Sequence, residues 1–246
     1  MEREIFSNNK IREALCQFTF QEVKDNTIYG RYWDKLCNNN NTKEFSTKEN
    51  ISSFQFTMKG DNPGEIIPSM VNAMKFSTED KRKVIQLHQK NLSIHQLGHY
   101  EKWEVYSEGI KYGLNTLTSL DTDIKLNRID LRAINEFNFE NKITIKDYFN
   151  IYPLFDNNMP FNSPNTEIKL SEKLDKDNYY IITNISVQNE GETTNVIVDI
   201  SFVAVFTEFQ MINNYEDVKE CLEYGHDNLN KVFYNIITDK TKSLIK

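Results

Sequence analysis

Apolar and polar residues alternate along several stretches of the chain, which is the pattern of a β-strand that is buried on one side. In residues 11–20, Cys16, Phe18 and Phe20 fall on one side and mostly polar residues fall on the other. Residues 124–139 repeat this alternation over a longer stretch. Both stretches are therefore predicted to be strands.

Two further stretches, residues 82–97 and 179–202, indicate β-hairpins because alternation resumes after a short polar turn. Each prediction places the apolar residues of both strands on one face. In residues 179–202 a slip by one residue would move all of them to the opposite face, so the pairing there is predicted to be strongly specified. The predicted turns are Lys90-Asn91 and Glu190-Gly191, and the predicted pairs are Leu87 with Ile94, Gln89 with Leu92, Val187 with Thr194 and Ile185 with Val196.

Helices are predicted where apolar residues recur at spacings of three and four. This spacing occurs in residues 103–120 and 215–233, with Trp103 and Phe233 as structural anchors. A last short helix is expected close to the end of the sequence. Residues 21–53 show no clear period and receive no assignment.

These elements predict an α+β fold with antiparallel sheets built from hairpins and amphipathic helices packed on them. A hairpin followed by a helix occurs twice, at 82–120 and 178–236. Two similar halves from an old duplication and independent use of one packing arrangement both remain open. An N-terminal α+β half at 1–155 and a C-terminal hairpin-helix half at 166–246 are predicted to pack together as one globular unit.

Composition narrows the class of protein. The chain has 246 residues, with 29 basic and 36 acidic side chains and a net charge of −7, so a general role in nucleic-acid binding is not indicated. The cysteines at 16, 37 and 221 have no disulfide or metal-binding spacing and are interpreted as reduced thiols. The longest apolar stretch has about 11 residues, whereas a membrane span needs about 20. A soluble, cytoplasmic protein without a membrane segment is expected.

The histidines are the first candidates for chemistry, because imidazole binds metals and transfers protons near neutral pH. The predicted hairpin places His88 and His95 on one face, and His99 follows on the next loop. They form a weak candidate for a metal site, since no carboxylate or thiolate completes a known spacing. A solvated polar face is the preferred interpretation, and no cofactor is expected.

His226 lies at the edge of the apolar stripe of the second long helix. It is interpreted as a packed histidine or as a weak catalytic candidate without an evident partner. The sequence also lacks the G-x-x-x-x-G-K-[ST], G-x-G-x-x-G, H-E-x-x-H and G-x-S-x-G motifs. The missing motifs favour a protein that is not an enzyme.

The predicted strand at 124–139 carries a row of charged residues. Arg128, Asp130, Arg132 and Glu136 project from one side, where alternate residues are close enough to pair. A structural ladder of ion pairs is the preferred interpretation, and a site for an anion or a protein partner is the alternative. Asn135, on the apolar side, is interpreted as a buried amide that fixes the local backbone.

Together these segments resemble the TIGR04255 family, which is sporadically distributed among prokaryotes. The N-terminal strand with its acidic residue resembles residues 11–15, and the R-x-G-L-R-x-x-N strand of the family resembles residues 128–135, although Asp130 replaces the usual glycine. The aromatic start of a helix is similar to Trp103, and the C-terminal pattern of the family is similar to His226, Phe233 and the Ile-Thr pair at 237–238. The resemblance implies no particular reaction, and the patchy distribution implies an association with mobile elements, including phage-defence and toxin–antitoxin clusters.

The leading hypothesis is a non-enzymatic accessory protein that binds a protein partner through the charged strand face or through an exposed sheet edge. One alternative is a hydrolase or nuclease that uses His226 or the group of His88, His95 and His99. A second alternative is a client-binding chaperone similar to the export chaperone SecB, which requires an exposed apolar groove. The formation of homo-oligomers is open.

Overall fold

The structure, a computed structural model, describes residues 10–23, 25, 27–38, 44–58, 66–98, 100–120, 123–151 and 165–245. At residues 52–58 and 66–72 it describes the backbone. The predicted boundary between halves at 156–165 lies, except for Asn165, outside the described residues.

Nine antiparallel strands form one sheet within the described residues. Their bounds are β1 (Ile11–Phe20), β2 (Phe45–Met58), β3 (Ile66–Thr78), β4 (Lys83–His88), β5 (Asn91–Leu97), β6 (Lys125–Phe139), β7 (Asn165–Lys173), β8 (Tyr179–Glu190) and β9 (Thr193–Met211). The order across the sheet is β2-β3-β4-β5-β1-β6-β9-β8-β7. The predicted α+β class is confirmed, and the strands form a single sheet instead of several.

The described ranges also contain five helices. Their bounds are α1 (Ile28–Asn38), α2 (Trp103–Thr118), α3 (Ile145–Tyr148), α4 (Glu216–Ile236) and α5 (Asp239–Ile245). None of these helices is long and apolar enough to cross a membrane.

The helices pack against one face of the sheet, called here the helix face. Gly113 of α2 lies over Ile94 of β5, and Gly225 of α4 lies over Phe202 of β9. Trp33 of α1 stacks on an aromatic ring of β3 at a centroid distance of 5.5 Å. The alternate residues of each strand that point to this face form the buried core, because the hydrophobic effect favours their removal from water.

Periodic segments were predicted well. The strand at 11–20 has the predicted bounds, the helix predicted at 103–120 is α2, and the strand predicted at 124–139 is β6. The unassigned segment 21–53 contains α1 and the first part of β2. Four apolar residues of α1 are buried, but they lie among polar residues close to the asparagine-rich tract that follows the helix. The segment therefore shows no clear period in the sequence.

The registers predicted for both hairpins are wrong by two residues. Leu87 lies opposite Leu92 instead of Ile94, and Val187 lies opposite Val196 instead of Thr194. A shift of two residues keeps every side chain on its own face, so the hydrophobic pattern does not distinguish the two registers.

The turn decides the register of the second hairpin. Gly191 has φ +59° and occupies the first position of the two-residue loop, with Glu190 paired to Thr193. Type II′ turns place glycine at this position because it adopts positive φ without steric cost. The sequence-based prediction placed the same glycine second.

Within the described residues, β7 forms one edge of the sheet and pairs with β8 alone. Almost all of its residues are exposed. They include Glu167, Lys169, Glu172 and Lys173, so charges of both signs line this edge.

The close contact of α4 with the sheet yields the first prediction. A Cβ atom at Gly225 would lie 2.9 Å from Cγ of Phe202 and closer still to two other ring carbons. The fully buried ring cannot move freely, so Gly225→Ala is expected to reduce the free energy of unfolding by about 1–3 kcal/mol. Urea denaturation followed by circular dichroism measures this change.

Gly109→Ala is the matched control. Nothing lies within 4 Å of a Cβ atom at this position in α2, and alanine is the better helix former. This variant is expected to be as stable as the wild type or about 0.5–1 kcal/mol more stable. Equal effects of the two substitutions would contradict the close contact at Gly225.

Candidate functional site on the polar face of the sheet

The candidate site lies on the sheet face opposite the helices, called here the polar face. Residues directly opposite each other in paired strands share a face, and the register places residues of four adjacent strands, β5, β1, β6 and β9, side by side. The polar members at its centre are Glu13, Gln17, Ser93, His95, Arg128, Asp130, Arg132, Asp199 and Ser201.

Arg132 forms a two-pronged ion pair with Asp199 of β9. Its Nε and Nη2 atoms donate hydrogen bonds of 2.7 and 2.6 Å to the two carboxylate oxygens. These bonds raise the pKa of the Arg132 guanidinium above its ordinary value. Asp199 is buried, and this pairing provides the compensation that a buried carboxylate needs.

Sequence reasoning missed Asp199 as a site residue. It lies within the longest apolar stretch of the chain and pairs with Ile134, two residues from Arg132 on β6. A charged residue in an apolar strand is a signal in itself, but its partner is identified only when the order of the strands is known.

The remaining charged residues of the predicted row are also paired. Nε of Arg128 donates to Asp130 at 2.7 Å, and Glu136 accepts a hydrogen bond from Asn195 at 2.9 Å and lies 3.6 Å from a nitrogen of Arg12. Most of these partners come from neighbouring strands. The row is therefore part of a network across the sheet.

His95 joins a second polar group on the same face. Its Nδ1 atom lies 2.9 Å from a carboxylate oxygen of Glu13, and its Nε2 atom lies 3.0 Å from Oγ of Ser93. The hydrogen bond with His95 is the main cause that lowers the pKa of the Glu13 carboxyl, and Arg132 lowers it further. Sequence reasoning identified His95 but neither of its partners.

His88 and His95, the two described members of the proposed group of three histidines, do not lie together. In the observed register His95 lies opposite Val84. Val84 and His88 are four residues apart on β4, which separates the two histidines by roughly 13 Å along the strand. Burial lowers the pKa of His88. His99 lies outside the described residues. No group of three or more metal-binding side chains occurs in the part of the chain that the structure describes.

His226 lies on the other side of the sheet, between α4 and α2. Its ring stacks on Trp103 at 4.2 Å, and its Nε2 atom is 3.0 Å from the Asn230 side-chain amide. Trp103 in turn donates a hydrogen bond to Glu223. These contacts place His226 in the packing between two helices.

Two residues assigned structural roles also lie on the helix face. Asn135 is buried, and its side-chain amide donates to the carbonyl oxygen of Val198 at 3.2 Å. Phe233 of α4 stacks on Phe137 of β6 at 6.4 Å. Both residues link β6 to its neighbours.

No protein-family model, curated protein or solved structure matches this chain. Its function is therefore inferred from the geometry of the polar face.

The second prediction concerns Glu13. Its folded-state pKa lies below the ordinary value near 4.5, so its ionised form stabilises the fold above that pH. This contribution is lost as the pH falls through the folded-state pKa. Glu13→Gln is expected to reduce the free energy of unfolding by about 1–2 kcal/mol at pH 7.

Urea denaturation of wild type and variant between pH 3 and pH 7 measures the effect, with Glu172→Gln at the exposed edge as the control. The difference between Glu13→Gln and wild type should shrink toward the acid end. A difference that is constant with pH would show that the ionisation of Glu13 is not its source.

Proposed function

We propose that this protein is an accessory component that engages a protein partner through its polar face. The observation that carries the proposal is the internal pairing of the charges on this face. Arg128 and Arg132 are already bound by Asp130 and Asp199. Nucleic-acid binding depends on cations that neutralise phosphates. A surface on which the cations are already paired with carboxylates has few available for this purpose.

Apolar side chains on the polar face support a protein partner further. Leu15, Ile182 and Ile197 are partly exposed and lie outside the core cluster, and Val205 is 37% exposed. Protein interfaces combine apolar side chains with arginine and a hydrogen-bonded polar rim. This combination favours a folded protein surface as the occupant.

The proposal includes two similar halves, whose bounds differ from the predicted 1–155 and 166–246: one half would run from β1 to α2 and the other from β6 to α4. β1 is followed by α1 and by strands that return beside it at β5, and β6 is followed by α3 and by strands that return beside it at β9. A helix then follows each returning strand. Under this proposal β1 and β6 are equivalent strands, and the polar face spans the junction between the halves.

The biological setting is proposed from the family resemblance alone. A component of a phage-defence or toxin–antitoxin type of system would have its partner encoded beside it. The proposed partner is therefore the product of an adjacent gene and not a second copy of this chain.

A client-binding chaperone is the second candidate. Phe209 and Met211, at one end of β9, are 51% and 48% exposed, and Val205 lies close by on the same strand. Such side chains can bind apolar segments of unfolded proteins. A chaperone would bind many unfolded proteins, whereas the proposed component binds one folded partner.

The third prediction tests the polar face with an exchange of charges. Arg128→Asp combined with Asp130→Arg retains an ion pair and the net charge but inverts the pattern that a partner meets. We expect the Kd for the partner to rise at least tenfold, since facing like charges costs about 1.4 kcal/mol or more. Isothermal titration with the partner, co-purified from cells that express the adjacent genes, measures the change.

The matched control exchanges an exposed ion pair outside the polar face. Lys242→Asp combined with Asp239→Lys alters a pair in α5 whose atoms lie 3.2 Å apart, and the Kd should stay within twofold. Thermal melting confirms that both variants are folded. The proposal fails if the polar-face exchange binds normally, or if light scattering finds no stoichiometric complex with an adjacent gene product.

A further inference from the structure

Three side chains of the polar face lie in a hydrogen-bonded line. Ser93 and His95 are two residues apart on β5, and Glu13 lies diagonally across from His95 on β1. The line runs from Oγ of Ser93 to Nε2 of His95 over 3.0 Å, and from Nδ1 of His95 to Glu13 over 2.9 Å. A nucleophile, a base and a group that orients the base are thus within hydrogen-bonding distance of each other.

The chemistry of the acceptors fixes the direction of these hydrogen bonds. An ionised carboxylate accepts hydrogen bonds and donates none, so the Nδ1 atom of His95 carries the hydrogen that binds Glu13. In a neutral imidazole the Nε2 atom is then an acceptor, and the hydroxyl of Ser93 donates to it. A neutral imidazole in this arrangement is the tautomer that can remove a proton from Ser93.

Donors for a developing negative charge flank the serine. Gln17 of β1 and Gln86 of β4 are the residues directly opposite Ser93 on its two sides, so all three side chains share the polar face. Carboxamide groups can donate hydrogen bonds to the oxyanion of a tetrahedral intermediate. Leu15 and Val84 flank His95 in the same way and provide apolar surface beside the nucleophile.

We propose that Ser93, His95 and Glu13 form an acyl-transfer site that hydrolyses small, activated carboxylic esters. Ser93 attacks the ester carbonyl carbon through Oγ while its proton passes to Nε2 of His95. The C–O bond to the alcohol then breaks, and the alcohol oxygen takes that proton. Water repeats the sequence on the acyl-serine and releases the carboxylic acid, with the proton returning through His95 to Ser93. Glu13 remains a carboxylate throughout.

The position of Ser93 defines the substrate class. Ser93 is only 4% exposed and lies between two glutamines, and two apolar residues flank the nearby His95. An acetyl or similarly short acyl group fits such a site better than a long chain. A good leaving group eases the breaking of the C–O bond, so activated esters are the expected substrates.

This activity goes beyond the proposed partner binding and does not depend on it. The residues exchanged in the partner experiment, Arg128 and Asp130, are not members of the acyl-transfer site. Failure of one proposal is therefore distinguishable from failure of the other.

The fourth prediction is tested with 4-nitrophenyl acetate and a fluorophosphonate probe on the full-length protein. The probe should lose fluoride and form an O–P bond at Ser93, which intact-mass measurement and peptide mapping detect. Ser93→Ala should abolish labelling and lower ester hydrolysis by about 100-fold or more. Ser186→Ala, which changes a serine of β8 on the same face but outside the site, should leave both unchanged.

Two further variants separate chemistry from structure. Glu13→Gln should lower kcat by about tenfold or more with little change in KM, because Glu13 orients His95 without touching substrate. Ser93→Cys nearly retains the size of the side chain and should accept an acetyl group at position 93. The proposal can therefore still be tested if Ser93→Ala does not fold. Absence of any adduct at position 93 in the folded wild type, or labelling that persists in Ser93→Ala, overturns the proposal.

Discussion

The antiparallel pairing of β1 with β6 at the centre of the sheet is the constraint on which the rest of the structure depends. It places Cys16 opposite Leu131 and Phe18 opposite Ile129, and all four side chains are buried. The alternate residues of the same two strands must then point to the other face. The position of the charged row on the opposite side of β6 is thus a geometric consequence of burying the core, and most of its partners come from the strands beside it.

The sequence predicted those parts of the fold for which the spacing of residues within one element is sufficient, without knowing which strands lie side by side. The strand at 11–20, the helix that starts at Trp103 and the charged side of β6 follow from spacing alone. The hairpin registers did not, since a shift of two residues leaves every face unchanged. Asp199 and Glu13 could be recognised as charged residues in apolar strands, but their pairing with Arg132 and His95 depends on strand order, which local patterns do not encode.

The two proposals place different demands on one surface. Partner binding would use the paired charges around Arg128 and the apolar side chains of the polar face, whereas acyl transfer would use Ser93 on the same face. A protein seated on the face would cover the serine, so the two activities would exclude each other. The reactivity of the Ser93 hydroxyl group would then show whether a partner is bound to the polar face.

The exposed edge at β7 has a consequence for how the molecule behaves in concentrated solution. An open sheet ends in strands with unpaired backbone groups, which can template the addition of strands from other molecules. Glu167, Lys169, Glu172 and Lys173 line this edge, and an incoming copy would bring like charges together in some registers and leave charges desolvated in others. Mixed charges of this kind disfavour the addition of further strands at the β7 edge.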